Sequence, residues 1–257
     1  MMGATPEQIT SANNPLIKEL RKLSTDNTAY RKQGRVWLEG DHLCRAVLLR
    51  GFKPALGLFS ESFWPLAQSI FGQAAIKNIV IPDTLFTQIS GLESSASMGF
   101  VVDLPAQPPL QPSSASLILD RVQDAGNVGS MLRSAAAFGF GQVIALKGTA
   151  ALWSPKVLRA GMGAHFGLQL LEGVELDALS ALAVPMLVTS SHEGSILGQT
   201  KLPMPCAWVM GHEGQGVSEH LMAKAAVKVR IAQPGGEESL NVAAAAAICL
   251  HFSSMQG

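Results

Sequence analysis

Five polar residues stand in settings where a side chain could do more than dissolve the surface: Asn127 and Arg133 in NVGSMLR, Glu213 in GHEGQG, and Ser239 and Asn241 in SLNV. Arg133 lies six residues beyond Asn127, about 9 Å along a helix axis. Its neighbours Ala135, Ala136 and Phe138 leave open whether it is a surface cation or a functional one. Gly211, Gly214 and Gly216 around Glu213 make a loop whose backbone groups can meet a ligand edge without an intervening Cβ; a tight turn held by Glu213 is the alternative. Asn241 is a poor helix former in an apolar run, so a polar partner is expected to hold it. His212 reads as a bystander rather than a metal ligand, and no metal site is expected.

These residues need elements to carry them. Residues 117–141 read as an apolar strand ending at Asp120, a polar loop, and a helix beginning near Asn127, with Asn127 as its cap. Residues 207–210 read as a buried strand running into the glycine loop. Residues 227–231 read as a strand followed by Pro-Gly-Gly, with Ser239 capping a final helix from about Leu240. Further strands are expected at 117–119, 142–146 and 186–189. Apolar strands alternating with helices imply a mostly parallel sheet covered on both faces, with ligands at the carboxyl ends of the strands.

The prolines at 105, 108, 109 and 112 mark a stiff seam, which divides an expected first domain, 1–104, from a linker, 105–114, and a second domain, 115–257. In the first, Asn14-Pro15 opens a helix to about Leu23, a helix from Asp41 stops at Gly51, and short strands are expected at 36–38, 56–59, 79–81 and 100–102. That is a small α/β sandwich. Residues 15–35 hold Lys18, Arg21, Lys22, Arg31, Lys32 and Arg35 against Glu19 and Asp26, a net charge of +4 that either follows a phosphate backbone or forms a solvated helix face.

Over all 257 residues, 19 basic side chains balance 19 acidic ones, so bulk charge names no partner; 47% apolar and 15% charged residues describe a packed globular protein. The longest apolar run, residues 242–250, falls far short of the ~20 residues that span a bilayer. The opening MMGATPEQIT lacks the pattern of a secretory leader. Cys44, Cys206 and Cys249 are odd in number and widely spaced, which disfavours a disulfide framework and fits a reducing cytoplasm or an organelle matrix. The motifs GxGxxG, GxxxxGK[ST], GxSxG and HExxH are all missing, so Rossmann, P-loop, α/β-hydrolase and zincin chemistry lose their usual warrant.

In order and spacing, NxGxxxR at 127–133, GxEGxG at 211–216 and SLNV at 239–242 closely resemble the signature motifs of the SpoU (TrmH-like) RNA 2′-O-methyltransferases of the SPOUT superfamily. The opening segments ITSANNPLIKELRKL and RVWLEGDHLCRAVL resemble that family's N-terminal RNA-binding domain of ribosomal-protein-L30-like type. The resemblance implies an α/β fold whose parallel C-terminal sheet is closed by a deep trefoil knot, a rare exception to the rule against knotted chains. It also implies bound S-adenosylmethionine, a homodimer whose active sites draw on both chains, and no membrane. Main-chain cofactor contacts would fall at Gly211, Ile231 and Leu240, with Thr189 a fourth. Asn127, Arg133, Glu213, Ser239 and Asn241 would shape the catalytic centre.

The implied reaction is in-line transfer of a methyl group to a ribose 2′-hydroxyl, where positioning can supply much of the rate. In this family the arginine matching Arg133 is assigned as the proton acceptor. A guanidinium with a pKa above ~12 suits a phosphate clamp and an oxyanion stabiliser better. Arg121, Ala125-Gly126 and Ala232-Gln233 depart from the family pattern. Arg121 is either an added phosphate contact or a rim residue. The two-domain layout with its L30-like module resembles the rRNA-modifying branch of the family more than the tRNA branch, which implies ribosomal RNA as substrate, with transfer RNA the alternative; a non-catalytic RNA-binding assembly factor and a non-methylating adenosine-nucleotide sensor are the readings outside that class.

Overall fold

The structure, a computed structural model, describes residues 5–92, 96–190, 193–236 and 239–256. The chain forms two compact units, Met1–Ala106 with Trp153–Phe166, and Gln107–Leu152 with Gly167–Gly257.

The first unit carries β1 (Glu7–Gln8), α1 (Pro15–Thr25), α2 (Ala29–Gln33), β2 (Arg35–Glu39), α3 (Asp41–Leu49), β3 (Leu56–Ser60), α4 (Trp64–Phe71), β4 (Lys77–Ile81), α5 (Asp83–Ile89) and β5 (Met98–Asp103). The strands form a mixed sheet in the order β1-β4-β3-β5-β2, in which only the pairings of β5 are antiparallel. The expected cap at Asn14 is present: its Oδ1 accepts from the Leu16 N–H at 2.9 Å, with Pro15 in the first turn. The core is aromatic, with Phe59, Phe71 and Phe100 mutually 5.9 to 6.5 Å apart between ring centroids. The two contacts of Phe100 are edge-to-face, a geometry that adds to the burial of large rings. Trp153–Phe166, which comes from the chain after the seam, completes this unit through Phe166 against Phe52 at 5.0 Å.

The second unit carries β6 (Ser116–Leu119), α6 (Ala125–Ala137), β7 (Gln142–Leu146), β8 (Gln169–Val174), β9 (Met186–Thr189), β10 (Ser195–Ile196), β11 (Ala207–Met210), α8 (Glu219–Lys224), β12 (Val227–Arg230) and α9 (Val242–Ser254); α7 (Pro155–Gly161) leaves it for the first unit. Its seven strands run in the order β10-β12-β9-β11-β6-β7-β8, every pairing parallel. The strands at 142–146, 186–189 and 207–210 fall where hydrophobic runs place them; β8 and β10 are additional, because 169–174 is only half apolar and 195–196 is too short to show a pattern. Successive strand residues face opposite ways. Ile118, Ile144, Val188 and Val209 build one buried layer with Leu221 of α8, and α6 and α9 cover the other face. There the buried Trp208 of β11 donates its indole N–H to Ser253 Oγ at 2.9 Å, so α9 supplies the one partner the ring requires.

From Gln107 the proline seam lies on the second unit. Gln111 N–H donates to Gln142 Oε1 at 2.7 Å, and Pro112 O accepts from Ala183 N–H at 2.9 Å. All three cysteines are free and buried, and burial pushes the thiols of Cys206 and Cys249 up to about 12. Among the described residues no helix is long and apolar enough to cross a membrane.

Candidate active site

The sheet order fixes where a site can form. From β6 the chain steps outward to β7 and β8, then returns to β9, and β11 fills the slot between β9 and β6. The loops leaving the carboxyl ends of β6 and β11 are therefore neighbours at a switch point, the usual ligand position in a parallel α/β sheet.

Those two loops hold each other through carboxylates. Asp120, buried at the end of β6, accepts from the Ser218 N–H at 2.7 Å. In return Glu213 accepts from the Gln123 and Asp124 N–H groups at 3.1 and 3.0 Å and from Asn127 Nδ2 at 3.1 Å. Lost hydration works to raise the Glu213 carboxyl, but the bonds from Asp124, Asn127 and Gln123 outweigh it and bring the group down to about 2. A carboxylate so acidic, with both oxygens occupied, is a poor proton acceptor at neutral pH. Glu213 acts as a strut.

Two sequence expectations need correcting. Helix α6 starts at Ala125, and its cap is Asp124, whose Oδ1 accepts from the Asn127 N–H at 2.7 Å; Asn127 lies inside the first turn, its side chain free for other work. Helix α9 starts at Val242, capped by Asn241 rather than Ser239: Asn241 Oδ1 accepts from the Ala243 and Ala244 N–H groups at 2.9 and 3.2 Å. The remaining donor of that amide, Nδ2, reaches Asn127 Oδ1 at 2.9 Å. The polar partner expected for Asn241 is thus Asn127, and a continuous chain Glu213–Asn127–Asn241 joins segments 86 and 114 residues apart.

The glycine loop is shaped by close approach. A Cβ on Gly211 would lie 2.1 Å from the Gly216 carbonyl carbon and 2.2 Å from the Val217 nitrogen, and Gly216 has φ +68°. No other residue fits at 211 without moving backbone, and the left-handed conformation at 216 favours glycine although a Cβ there would meet nothing. His212, expected to be a bystander, organises the loop instead: its Nδ1 accepts from the Gly214 and Gln215 N–H groups at 3.0 and 3.2 Å.

Beside this frame lies an open cleft of about 610 Å³, lined by Thr189, Gly211, Glu213, Ser239, Leu240 and Asn241 among others. A smaller hollow of about 120 Å³ shares Thr189, Ser239 and Leu240 with it and adds Ile231 and Gln233. Thr189, Gly211, Ile231 and Leu240 are therefore gathered around two adjoining cavities. Ser239 is exposed on the wall. Arg133 is not brought there. It is exposed on α6, and in six residues the helix turns well past the Asn127 face, leaving the guanidinium without a hydrogen bond or ion pair among the described residues.

Arg121 adopts a left-handed backbone, φ +60°, one of two non-glycine residues to do so among the described residues. Its Nε donates to Asp120 Oδ1 and its Nη1 to Gln215 Oε1, both at 3.0 Å. In the first unit Lys18, Lys22, Arg31 and Lys32 are exposed. Arg35 pairs with Asp103 at 3.1 Å, Arg21 bonds Gln88, and Arg31 lies 5.5 Å from the Tyr30 ring centroid. Among the described residues no group of three or more His, Cys, Asp or Glu side chains is placed to hold a metal ion. Sequence reasoning placed Asp120 only as a strand end and Gln233 only as a departure from the family pattern, and it missed Asp124 and Gln215; an Asp just before a helical run is a cap signal that points to Asp124.

Fold and site together define a parallel α/β ligand-binding domain with its pocket at the switch point and a small α/β unit ahead of it. Residues 114–251 match the model of the SpoU rRNA Methylase family, and the chain belongs to that family. It is 29% identical over 249 residues to the 23S rRNA (guanosine(2553)-2′-O)-methyltransferase RlmP of Bacillus subtilis, covering 95% of this chain and 98% of that protein. A crystal structure of an RNA 2′-O ribose methyltransferase, 28% identical, superposes with a TM-score of 0.80 over 97% of this chain and 98% of the other. The AdoMet-bound rRNA methyltransferase of Sinorhizobium meliloti, 23% identical, shares the fold with a TM-score of 0.82 over 97% of each chain.

Proposed function

We propose that the chain transfers a methyl group from S-adenosylmethionine to a ribose 2′-hydroxyl of structured ribosomal RNA, in the cytoplasm, as a knotted homodimer. The Glu213–Asn127–Asn241 chain beside the glycine-walled cleft carries this reading. Family membership and the activity named for the Bacillus subtilis relative support it.

The cavities fit the cofactor. Their combined wall offers backbone at Gly211 where no Cβ stands, apolar side chains at Ile231 and Leu240, and a volume within the range of small-molecule sites. When bound, S-adenosylmethionine supplies a methyl group activated on a sulfonium. Gly211, Ile231, Leu240 and Thr189 hold it, and Ser239 stands at the mouth. Asn127 and Asn241 have fixed amide orientations because each is bonded to the other and, in turn, to Glu213 or to the turn of α9. Such fixed dipoles orient a hydroxyl without reorganising during the reaction.

Arg133 suits a bidentate phosphate clamp and a stabiliser of negative charge on the attacking oxygen. One chain leaves it outside the cleft, so the second copy of a two-fold dimer supplies it. The exposed Lys18, Lys22, Arg31 and Lys32, with Arg21 and Arg35 at the margin, give the first unit a surface for the RNA backbone. Arg121, fixed at the site by Asp120 and Gln215, adds a phosphate contact there.

Labelled methyl transfer from S-adenosylmethionine to deproteinised ribosomal RNA, with the product nucleoside identified, tests the reading. The wild type is expected to yield a 2′-O-methyl nucleoside, and Asn127→Ala to lose it. Mixing Asn127→Ala with Arg133→Ala chains is expected to restore about a quarter of the wild-type rate, since half the dimers then hold one complete site. RNA binding without transfer by the wild type would instead make the chain an assembly factor.

A further inference from the structure

Beside Ile231, a residue already placed at the cofactor wall, Gln233 presents an unmet hydrogen-bonding group. Its Oε1 is shielded from solvent and has no hydrogen-bond partner among the described residues, and the residue lines the hollow of about 120 Å³ together with Thr189, Ile231, Leu240 and Ala245. Folded proteins pair nearly all such buried acceptors, and an exception on a residue that lines a cavity calls for an explanation. The hollow supplies one. Its walls at Ile231, Leu240 and Ala245 are aliphatic, the surroundings that a flat heteroaromatic ring favours. On a purine such as adenine the ring nitrogens of the exposed edge are acceptors, so a facing carbonyl oxygen finds its donor only in the exocyclic amine.

We propose that Gln233 reads the exocyclic amino group of a purine, with its side-chain carbonyl as the acceptor. In the setting of the proposed function, on which this inference rests, that purine is the adenine of the methyl donor. Discrimination follows from position: a ring bearing a carbonyl in place of the amine sets that carbonyl against Oε1, and its one edge donor, the ring N1–H, lies a position away from where the amine stood, so the bond to Oε1 is weakened. The free protein bears the cost of the unmatched oxygen. An isosteric apolar side chain removes the unmatched group and leaves the fold at least as stable.

Calorimetric binding of S-adenosylhomocysteine and of its inosine analogue, S-inosylhomocysteine, to the full-length protein tests this, together with thermal unfolding in the absence of ligand. Wild type is expected to prefer the adenine compound by about tenfold. Gln233→Met is expected to bind the adenine compound less tightly, to lose the preference, and to unfold without ligand at a temperature no lower than wild type. Gln233→Asn, whose carbonyl is drawn back by one methylene, is expected to bind like Gln233→Met. A preference of equal size in wild type and Gln233→Met overturns the assignment while leaving the cofactor site intact. Failure of wild type to bind either compound removes the proposed function as well.

Discussion

The two units place their polar side chains in opposite ways. In the first, the charge lies on outward-facing residues of α1 and α2, and its buried carboxylate, Glu39, is closed within the unit by Ser90 and by the Gly91 N–H at 3.1 Å. In the second, Glu213, Asn127 and Asn241 come from three separate segments to one cleft edge, and Gln233 still has an oxygen to match. The first arrangement suits a repeating phosphate backbone, which many cations can follow in more than one register. The second suits one ligand in one pose. Affinity and chemistry should therefore separate by unit when residues are changed.

Asn241 gives the sharpest way to break that separation. Its Oδ1 caps α9 while its Nδ2 donates to Asn127. Asn241→Asp keeps an acceptor for the helix terminus and even favours it electrostatically, but removes the donor and sets a carboxylate against Asn127 Oδ1. Transfer is expected to fall about 100-fold, as when a single orienting donor is lost from an active site, with thermal stability held and RNA affinity unchanged. A melting temperature that falls together with the rate would reduce the network to a helix cap.

Changing Lys18, Lys22 and Lys32 together to Gln is expected to do the converse. RNA binding should weaken about tenfold or more, and the slope of log affinity against log salt should shrink by about 2. Affinity for S-adenosylhomocysteine should stay as it was. Arg121→Gly tests the boundary between the two behaviours, because this cation belongs to the second unit. Here the loss of RNA affinity should be only a few-fold, with a salt slope smaller by about 1. Relief of the left-handed backbone should add about 1 kcal/mol to stability, reduced by whatever the pairing with Asp120 contributes. Full RNA affinity in Arg121→Gly would make Arg121 only the partner of Asp120.

The same contrast explains what could be read in advance. The strands of the second unit stand out because both faces are buried, so 142–146 and 207–210 are unbroken apolar runs; β10, two residues long, carries no such signal. Motif spacing singles out Asn127, Glu213, Ser239 and Asn241, and the fold brings them to one cleft edge, but the spacing does not carry their geometry. Residue type alone points to Asn127 and Ser239 as the caps. In the fold, Asp124 and Asn241 take those positions, which frees the Asn127 side chain to join Glu213 and Asn241. Which of several eligible polar residues caps a helix depends on where the preceding strand and loop deliver the chain. The docking of Trp153–Phe166 into the first unit was equally silent, since a short apolar helix looks the same whichever core it enters.

The smallest effect concerns the strut that fixes the cleft edge. Glu213 titrates at about 2 in the folded protein against an ordinary 4.5. The folded state therefore binds the proton less readily than the unfolded one. The loop contacts are fully in place above the ordinary value, and their contribution is lost as the pH falls from about 4.5 through about 2. Glu213→Gln imposes part of that loss at neutral pH: its amide keeps one acceptor oxygen but sets an NH2 donor against either the Gln123 or the Asp124 N–H, which the carboxylate meets with a separate oxygen each. Stability measured from pH 5 down to pH 2 should fall less steeply in Glu213→Gln than in wild type, by the share that this group supplies. The Lys18/Lys22/Lys32 variant, altered only in the first unit, should keep the wild-type difference from Glu213→Gln across that window. Parallel curves for wild type and Glu213→Gln would mean that the two loops are held by Asp120 and Ser218 alone, with Glu213 a spectator at the cleft edge.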